Sequence, residues 1–341
     1  MALELPSGAL ADLIGRRKTI IVGSVVGAIS YLLFPFASSF THYMILAFLI
    51  GVSDSFRSGS EEAILYDSYK EEKNEKKYDK AYADANIIYQ VGLIIATALG
   101  GLIFEYNNTL PYTFYGIALV IVSILSYFYL EPSIDSDKFT LANYRKQIID
   151  GSKEAFKTQY TKYLSLFYIF VGGIAWASTL YFNAYMMVDL GFENDIRGYL
   201  TAGMRFLNVV IIAKLLTNKK IFNSKRTILF FPIIMILGYL PGYWLSGYLG
   251  LPFVQIIISV TTARWIVLSP LTNAVFSSKY RATAISLLSL LIGFVYISMT
   301  GISGLVIPHY GVKAMYSLLG LFSLVTVVPL TYKLLVHSKD D

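Results

Sequence analysis

At 341 residues, 55% of them hydrophobic and only 15% charged, the chain carries more apolar surface than a soluble core of this length can bury, so a multi-span membrane protein is expected. The formal net charge is +6, yet Lys and Arg are sorted by loop rather than gathered on one face, which excludes a nucleic-acid surface and points to membrane topology. There is no cysteine, and His42, His309 and His337 are scattered, which excludes disulfides, thiolate metal sites and a histidine ligand cluster.

The chain opens with Pro6-Ser-Gly8-Ala-Leu-Ala-Asp12-Leu-Ile-Gly15-Arg16-Arg17-Lys18, a tight charged stretch between apolar runs. It reads as a short connection between membrane helices on the cytoplasmic side, with Leu3 to Pro6 as the last turn of a preceding helix. Gly8 and Gly15 permit close backbone approach and a helix-ending turn. Asp12 can engage free N–H groups at a helix N-terminus, and Arg16, Arg17 and Lys18 hold the next helix against the inner leaflet.

Taken together, Gly8, Asp12, Gly15, Arg16 and Arg17 resemble the signature between the second and third helices of the major facilitator superfamily, with Leu13 where that family usually has Arg. The resemblance implies an all-helical membrane fold of two bundles, a latch on the cytoplasmic side, and transport by alternating access around a midplane site. It also implies twelve helices, so the expectation is about ten complete transmembrane helices plus the end of one more, with the first helix and most of the second absent.

Ten apolar segments are long enough to cross a bilayer, at roughly 19–37, 43–65, 85–105, 111–130, 163–188, 198–216, 227–247, 251–277, 282–307 and 314–336. With the opening stretch inside, 23 of the 28 Lys and Arg fall on that side, against Arg197 and Lys313 outside and Arg57, Arg205 and Arg264 within spans. The same count puts the C-terminus in the cytoplasm. The expected organisation is a remainder of an N-terminal bundle at 1–130, a cytoplasmic linker at 131–162 and a six-helix bundle at 163–341. Within the linker, Tyr144 to Asp150 reads either as an amphipathic interfacial helix or as a solvated connection. A decayed repeat over 216–227 sets Lys225 and Arg226 against Arg17 and Lys18, with Lys220 in the place of Asp12 and Asn223 in that of Gly15.

Charged residues inside spans are the first candidates for function, because facing lipid would cost several kcal/mol each. Asp54, Arg57 and Glu61 share one helix face at i, i+3 and i+7, forming either a proton-responsive or substrate-binding network or an ion pair that fixes packing. Arg57 with Gly59 resembles the superfamily's fourth-helix motif, whose buried Arg is associated with proton coupling. At the end of the same helix, Asp67 is placed to pair with Arg16 or Arg17. In the fifth family helix Gly92, Gly100 and Gly101 match an exporter motif in part, with Ala96 and Thr97 in place of its Gly-Pro; close helix packing explains these small residues equally well.

In the second half, Arg264 and Arg205 are buried cations that need a partner from another helix, a carbonyl or an anionic ligand. Trp176, Tyr181 and Asn183 are candidate cavity-lining residues for a hydrophobic or cationic solute. Ser278-Lys279-Tyr280-Arg281-Ala282-Thr283 resembles the entry into the eleventh family helix, whose N-terminus is the expected partner of Asp12. Walker, dinucleotide, nucleophile-elbow and metal motifs are lacking, so ATP-driven transport and catalysis have no residues to run on.

The expected protein is therefore not an enzyme but a secondary transporter in the cell membrane, without cofactor and driven by a proton gradient, acting as an efflux antiporter for small amphiphilic compounds. Its partners are a small-molecule substrate and the lipid bilayer, with a monomer as the unit. The alternatives are an uptake permease for a small polar or anionic solute and, from a different class, a non-transporting fragment.

Overall fold

The computed structural model describes residues 3–132, 140–217 and 224–337, and every regular element among them is helical. In chain order these are α1 (Glu4–Ile14), α2 (Arg16–Leu33), α3 (Phe40–Glu71), α4 (Glu75–Tyr106), α5 (Leu110–Tyr127), α6 (Leu141–Glu154), α7 (Gln159–Ala177), α8 (Asn183–Asp189), α9 (Asn194–Thr217), α10 (Ser224–Tyr239), α11 (Leu251–Val275) and α12 (Arg281–His337). Each of the ten apolar segments is helical over most of its length. Among the described residues Arg16–Phe36, Leu110–Tyr127, Gly247–Val275 and Arg281–His337 are long and apolar enough to cross a membrane. At about 1.5 Å per residue, the 57 residues of α12 suffice for two crossings. They divide at Gly311, whose φ of 76° and ψ of 169° leave the helix, and Asp189 Oδ2 accepts the Val312 N–H at 3.1 Å just beyond.

Three local expectations are corrected. The opening stretch is not a loop: α1 runs from Glu4 through Ile14, so Pro6, Gly8 and Asp12 lie within a helix. Ala9, Leu10, Ala11 and Leu13 favour helix, Pro6 falls in the first turn where its missing N–H is harmless, and only Gly15, at φ 106°, breaks the run before α2. The predicted span 163–188 is interrupted by a π-helical turn, Ser178–Phe182, and the span 227–247 passes from α10 into a tight turn, Leu240–Trp244, that contains Pro241. On α4, a Cβ at Gly92 or Gly100 would meet nothing within 4 Å among the described residues, and the neighbouring Ile88, Ile95 and Leu99 are exposed.

The chain divides into two compact units. One comprises residues 1–80, 96–157 and 273–290; the other comprises 81–95, 158–272 and 291–341, so α4 and α12 contribute to both. In the first unit α1, α3 and α12 cross where side chains are smallest. A Cβ at Gly8 would lie 2.7 Å from the Ala282 carbonyl oxygen and would collide with Ser286, and one at Gly59 would do the same to Ser286. In the second unit Gly172 and Gly173 of α7 let Ile292 and Val295 of α12 approach in the same way.

Candidate functional site

Asp12 lies in the last turn of α1, three residues before the break at Gly15, so its carboxylate projects from the C-terminal end of that helix. It meets the start of α12. Oδ1 accepts from the Ala282 N–H at 3.2 Å, while Oδ2 accepts from the Thr283 N–H at 2.9 Å and the Thr283 hydroxyl at 2.8 Å. These are orphan donors of a helix N-terminus, where negative charge is favoured by the helix dipole.

Three further charges join it. Arg16 Nη2 donates to Asp12 Oδ1 at 3.2 Å and to the Ser278 carbonyl at 2.8 Å, and Nη1 donates to the Ala63 carbonyl at 3.0 Å. Asp67, near the end of α3, pairs with both Arg16 and Arg281 and accepts from the Ser278 hydroxyl at 3.1 Å. Arg281 also donates to the carbonyls of Asn273 at 3.1 Å and Phe276 at 2.6 Å, and its guanidinium lies 4.3 Å from the centre of the Tyr66 ring. None of the four side chains is more than 4% exposed. Two carboxylates and two guanidiniums make the cluster formally neutral, and backbone carbonyls and N–H groups take up most of the remaining donors and acceptors, Arg16 Nε being left without a hydrogen bond, which is close to the condition under which buried charges persist.

Arg17 turns the other way. Its Nη1 donates to the Tyr129 carbonyl at 3.1 Å, while the Glu131 carboxylate accepts the N–H groups of Arg16 at 2.7 Å and Arg17 at 2.9 Å, capping α2. Gly15 faces this carboxylate: a Cβ there would lie 3.1 Å from Glu131 Oε2. Of the two cations considered as partners for Asp67, Arg16 takes the role.

On α3 the expected network is partly assembled. Arg57 Nε donates to Glu61 Oε1 at 2.8 Å, with 19% and 45% of the two side chains exposed. Asp54 is exposed and outside the 4 Å ion-pair range of Arg57. The i+4 acid, one full turn on, wins over the i−3 acid, in line with the geometry of helical pairs.

In the second unit Arg264 is 2% exposed, its guanidinium 4.0 Å from the Trp265 ring centre and 5.6 Å from that of Tyr168. A Cβ at Gly172 would collide with Arg264 Nη1, so the glycine makes the room this cation occupies. Arg205 is half-buried on α9, one turn from Asn208, which donates to the Thr262 hydroxyl at 2.8 Å. Trp176 packs against Tyr296 at 5.4 Å, and Asn183 accepts from the Tyr316 hydroxyl. The Tyr181 side chain, like Lys220 and Asn223 of the proposed repeat, lies outside what the structure describes.

Glu131 and Gln147 belong to the site although spacing gave them no role. Gln147, 3% exposed on α6, donates to Asp12 Oδ2 at 3.2 Å and to the Lys279 carbonyl at 2.7 Å. The signal available in sequence was a polar residue four before a glycine, Gly151, on one face of a linker helix. Nearby, Tyr144 donates to the Pro6 carbonyl at 3.2 Å, and burial raises its hydroxyl pKa, keeping the proton on the donor.

A family model described as Major Facilitator Superfamily matches residues 1–275. The uncharacterized MFS-type transporter YxaM of Bacillus subtilis (strain 168) is 23% identical over 350 residues, spanning all of this chain and 85% of that protein. Multidrug resistance protein 2 of the same organism is 26% identical over 149 residues, 44% of this chain and 35% of that one. The crystal structure of the human organic anion transporter MFSD10 (TETRAN) superposes with a TM-score of 0.75 at 13% identity, over 96% of this chain and 80% of that one, which is a likeness of fold.

Proposed function

Because the chain belongs to the Major Facilitator Superfamily, we propose that it is a proton-coupled exporter of small amphiphilic compounds, working by alternating access of two bundles, residues 1–130 and 163–341, across a cell membrane. The observation that carries this reading is the buried quartet of Asp12, Arg16, Asp67 and Arg281 at the start of α12. Segments some 270 positions apart in sequence are bonded there through four charged side chains, a contact that an alternating-access gate has to break and remake. In this reading the quartet is the cytoplasmic latch, and the chain ends on that same side.

Coupling falls to Arg57 and Glu61. Glu61 is half-exposed, so water reaches its ion pair with Arg57, and breaking that pair frees the guanidinium to change partner. Export as the direction is supported by the similarity of 149 residues to a multidrug resistance protein. A second reading, movement of a small anionic solute, is favoured by Arg264, a buried guanidinium flanked by Tyr168 and Trp265, and by the fold shared with a protein described as an organic anion transporter. The unit is taken as a monomer.

The test is a growth-inhibition panel in bacteria lacking their own pumps, with the parent chain beside Arg57→Ala. The reading expects the parent to lower sensitivity to several lipophilic cations and Arg57→Ala to remove that protection. Unchanged sensitivity to every compound counts against export.

A further inference from the structure

We propose that α6 is a working part of the cytoplasmic latch, and that Gln147 is the positioning residue through which it holds Asp12 against α12. The inference rests on the latch reading above and adds to it a third element, the connection between the two halves of the chain.

A primary amide has two N–H donors, and Gln147 has an acceptor for each: Asp12 Oδ2 on α1 and the Lys279 carbonyl in the turn before α12. One side chain thereby ties the latch carboxylate to the backbone of the segment it latches onto. Gln147 Nε2 is also 3.5 Å from the Thr283 hydroxyl, which itself donates to Asp12.

The approach needed for this is built into α6. One turn beyond Gln147, Gly151 is buried against Thr283: a Cβ there would lie 2.6 Å from Thr283 Cβ, closer than such atoms come. Tyr144, one turn before, donates to the Pro6 carbonyl, so the face carrying residues 144, 147 and 151 spans α1 and the start of α12. The end of α6 fixes the same turn from its other side. Glu154 Oε1 accepts the Ser277 N–H at 2.7 Å, and Lys157 donates to the Val275 carbonyl at 2.9 Å while pairing with Glu154. Four positions across the α11–α12 junction, 275, 277, 279 and 283, thus have a partner on or just after α6.

The consequence is mechanical. The Asp12 latch cannot leave α12 while Gln147 bridges them, so opening on the cytoplasmic side requires Gln147 to release Asp12 or the Lys279 carbonyl, and any event that lifts α6 breaks both bonds and loosens the latch. The linker is then a clasp that closes the gate instead of a tether that merely spans it.

The chain has no cysteine, which permits a clean reporter. Ser286 is buried between Gly8 and Gly59, and Ser286→Cys reacts with a maleimide only when those helices part. Labelling is followed in inside-out membrane vesicles, alone and combined with Gln147→Leu, Gly151→Ala or Asp12→Asn. A hydrogen bond to a charged group shifts an equilibrium by roughly tenfold or more. Gln147→Leu, which keeps bulk but loses both donors, and Gly151→Ala, which pushes α6 off Thr283 without deleting a polar group, are each expected to raise the labelling rate by about that factor. Where one of these does not accumulate as monodisperse protein, the other decides. Unchanged labelling in them beside faster labelling in Asp12→Asn overturns the clasp and leaves the latch standing; unchanged labelling in all three overturns both.

Discussion

Replacing Asp12 by Asn is the sharpest perturbation of the quartet, because it preserves shape and changes only charge and one acceptor. The Asp12 carboxylate accepts from five donors: Arg16 Nη2 and the Ala282 N–H on Oδ1, and the Thr283 N–H, the Thr283 hydroxyl and Gln147 Nε2 on Oδ2. An amide offers one oxygen, so its NH₂ group confronts N–H donors that cannot turn into acceptors in either orientation: Arg16 and Ala282 at the Oδ1 position, or the Thr283 N–H at the Oδ2 position. Orphaning each buried donor costs about 1–3 kcal/mol. The substitution also leaves Asp67 as the one carboxylate for both Arg16 and Arg281, which are fully buried. The total falls at about 3–5 kcal/mol, the range for removing one partner of a buried ion pair. The assay is reversible unfolding of the purified protein in mixed micelles, run as a double-mutant cycle with Thr283→Val. Asp12→Asn is expected to destabilise by that amount, with a coupling to Thr283→Val of about 1–3 kcal/mol. A destabilisation under about 1 kcal/mol, or additive single effects, would refute the idea that this carboxylate is held by the α12 N-terminus.

Two smaller perturbations test the surroundings of the quartet. Glu131→Gln withdraws negative charge from the first N–H groups of α2 and is expected to cost about 0.5–1.5 kcal/mol in the same unfolding assay, with the difference shrinking as salt is raised. Gly15→Ala forces a Cβ into a φ of 106° and against the Glu131 carboxylate, and should lose about 1–3 kcal/mol; an effect within a few tenths of the parent would mean that the break between α1 and α2 relaxes freely.

How much of this was legible beforehand depends on the range over which each feature is decided. The ten spans follow from local runs of apolar residues, and all ten are helical. The meeting of Asp12 with the start of α12 was reachable because a carboxylate near the end of one helix and a polar opening of another are complementary in charge and hydrogen bonding. The form of α1 was harder to read. Gly8 looks like a loop residue until its neighbour is known, and that neighbour, Ser286, lies far along the chain. Spacing placed Asp54, Arg57 and Glu61 on one face correctly, but could not say which acid Arg57 would choose or how much water would reach each. Gly92 and Gly100 suggested a helix crossing, yet small residues permit close approach without requiring it. Gln147 was invisible for the same reason as Gly8: its role is set by acceptors at Asp12 and Lys279, and within α6 it is one polar residue among several.

The central claim is proton-coupled export through a gate held by the buried quartet, and the most direct measurement is dye movement in inside-out vesicles carrying the protein. With ethidium outside, the account predicts that a proton gradient directed outward from the lumen drives accumulation inside, that a protonophore collapses it, and that Arg57→Ala abolishes it while the protein stays in the membrane. Accumulation that ignores the protonophore, or that Arg57→Ala leaves intact, would contradict it.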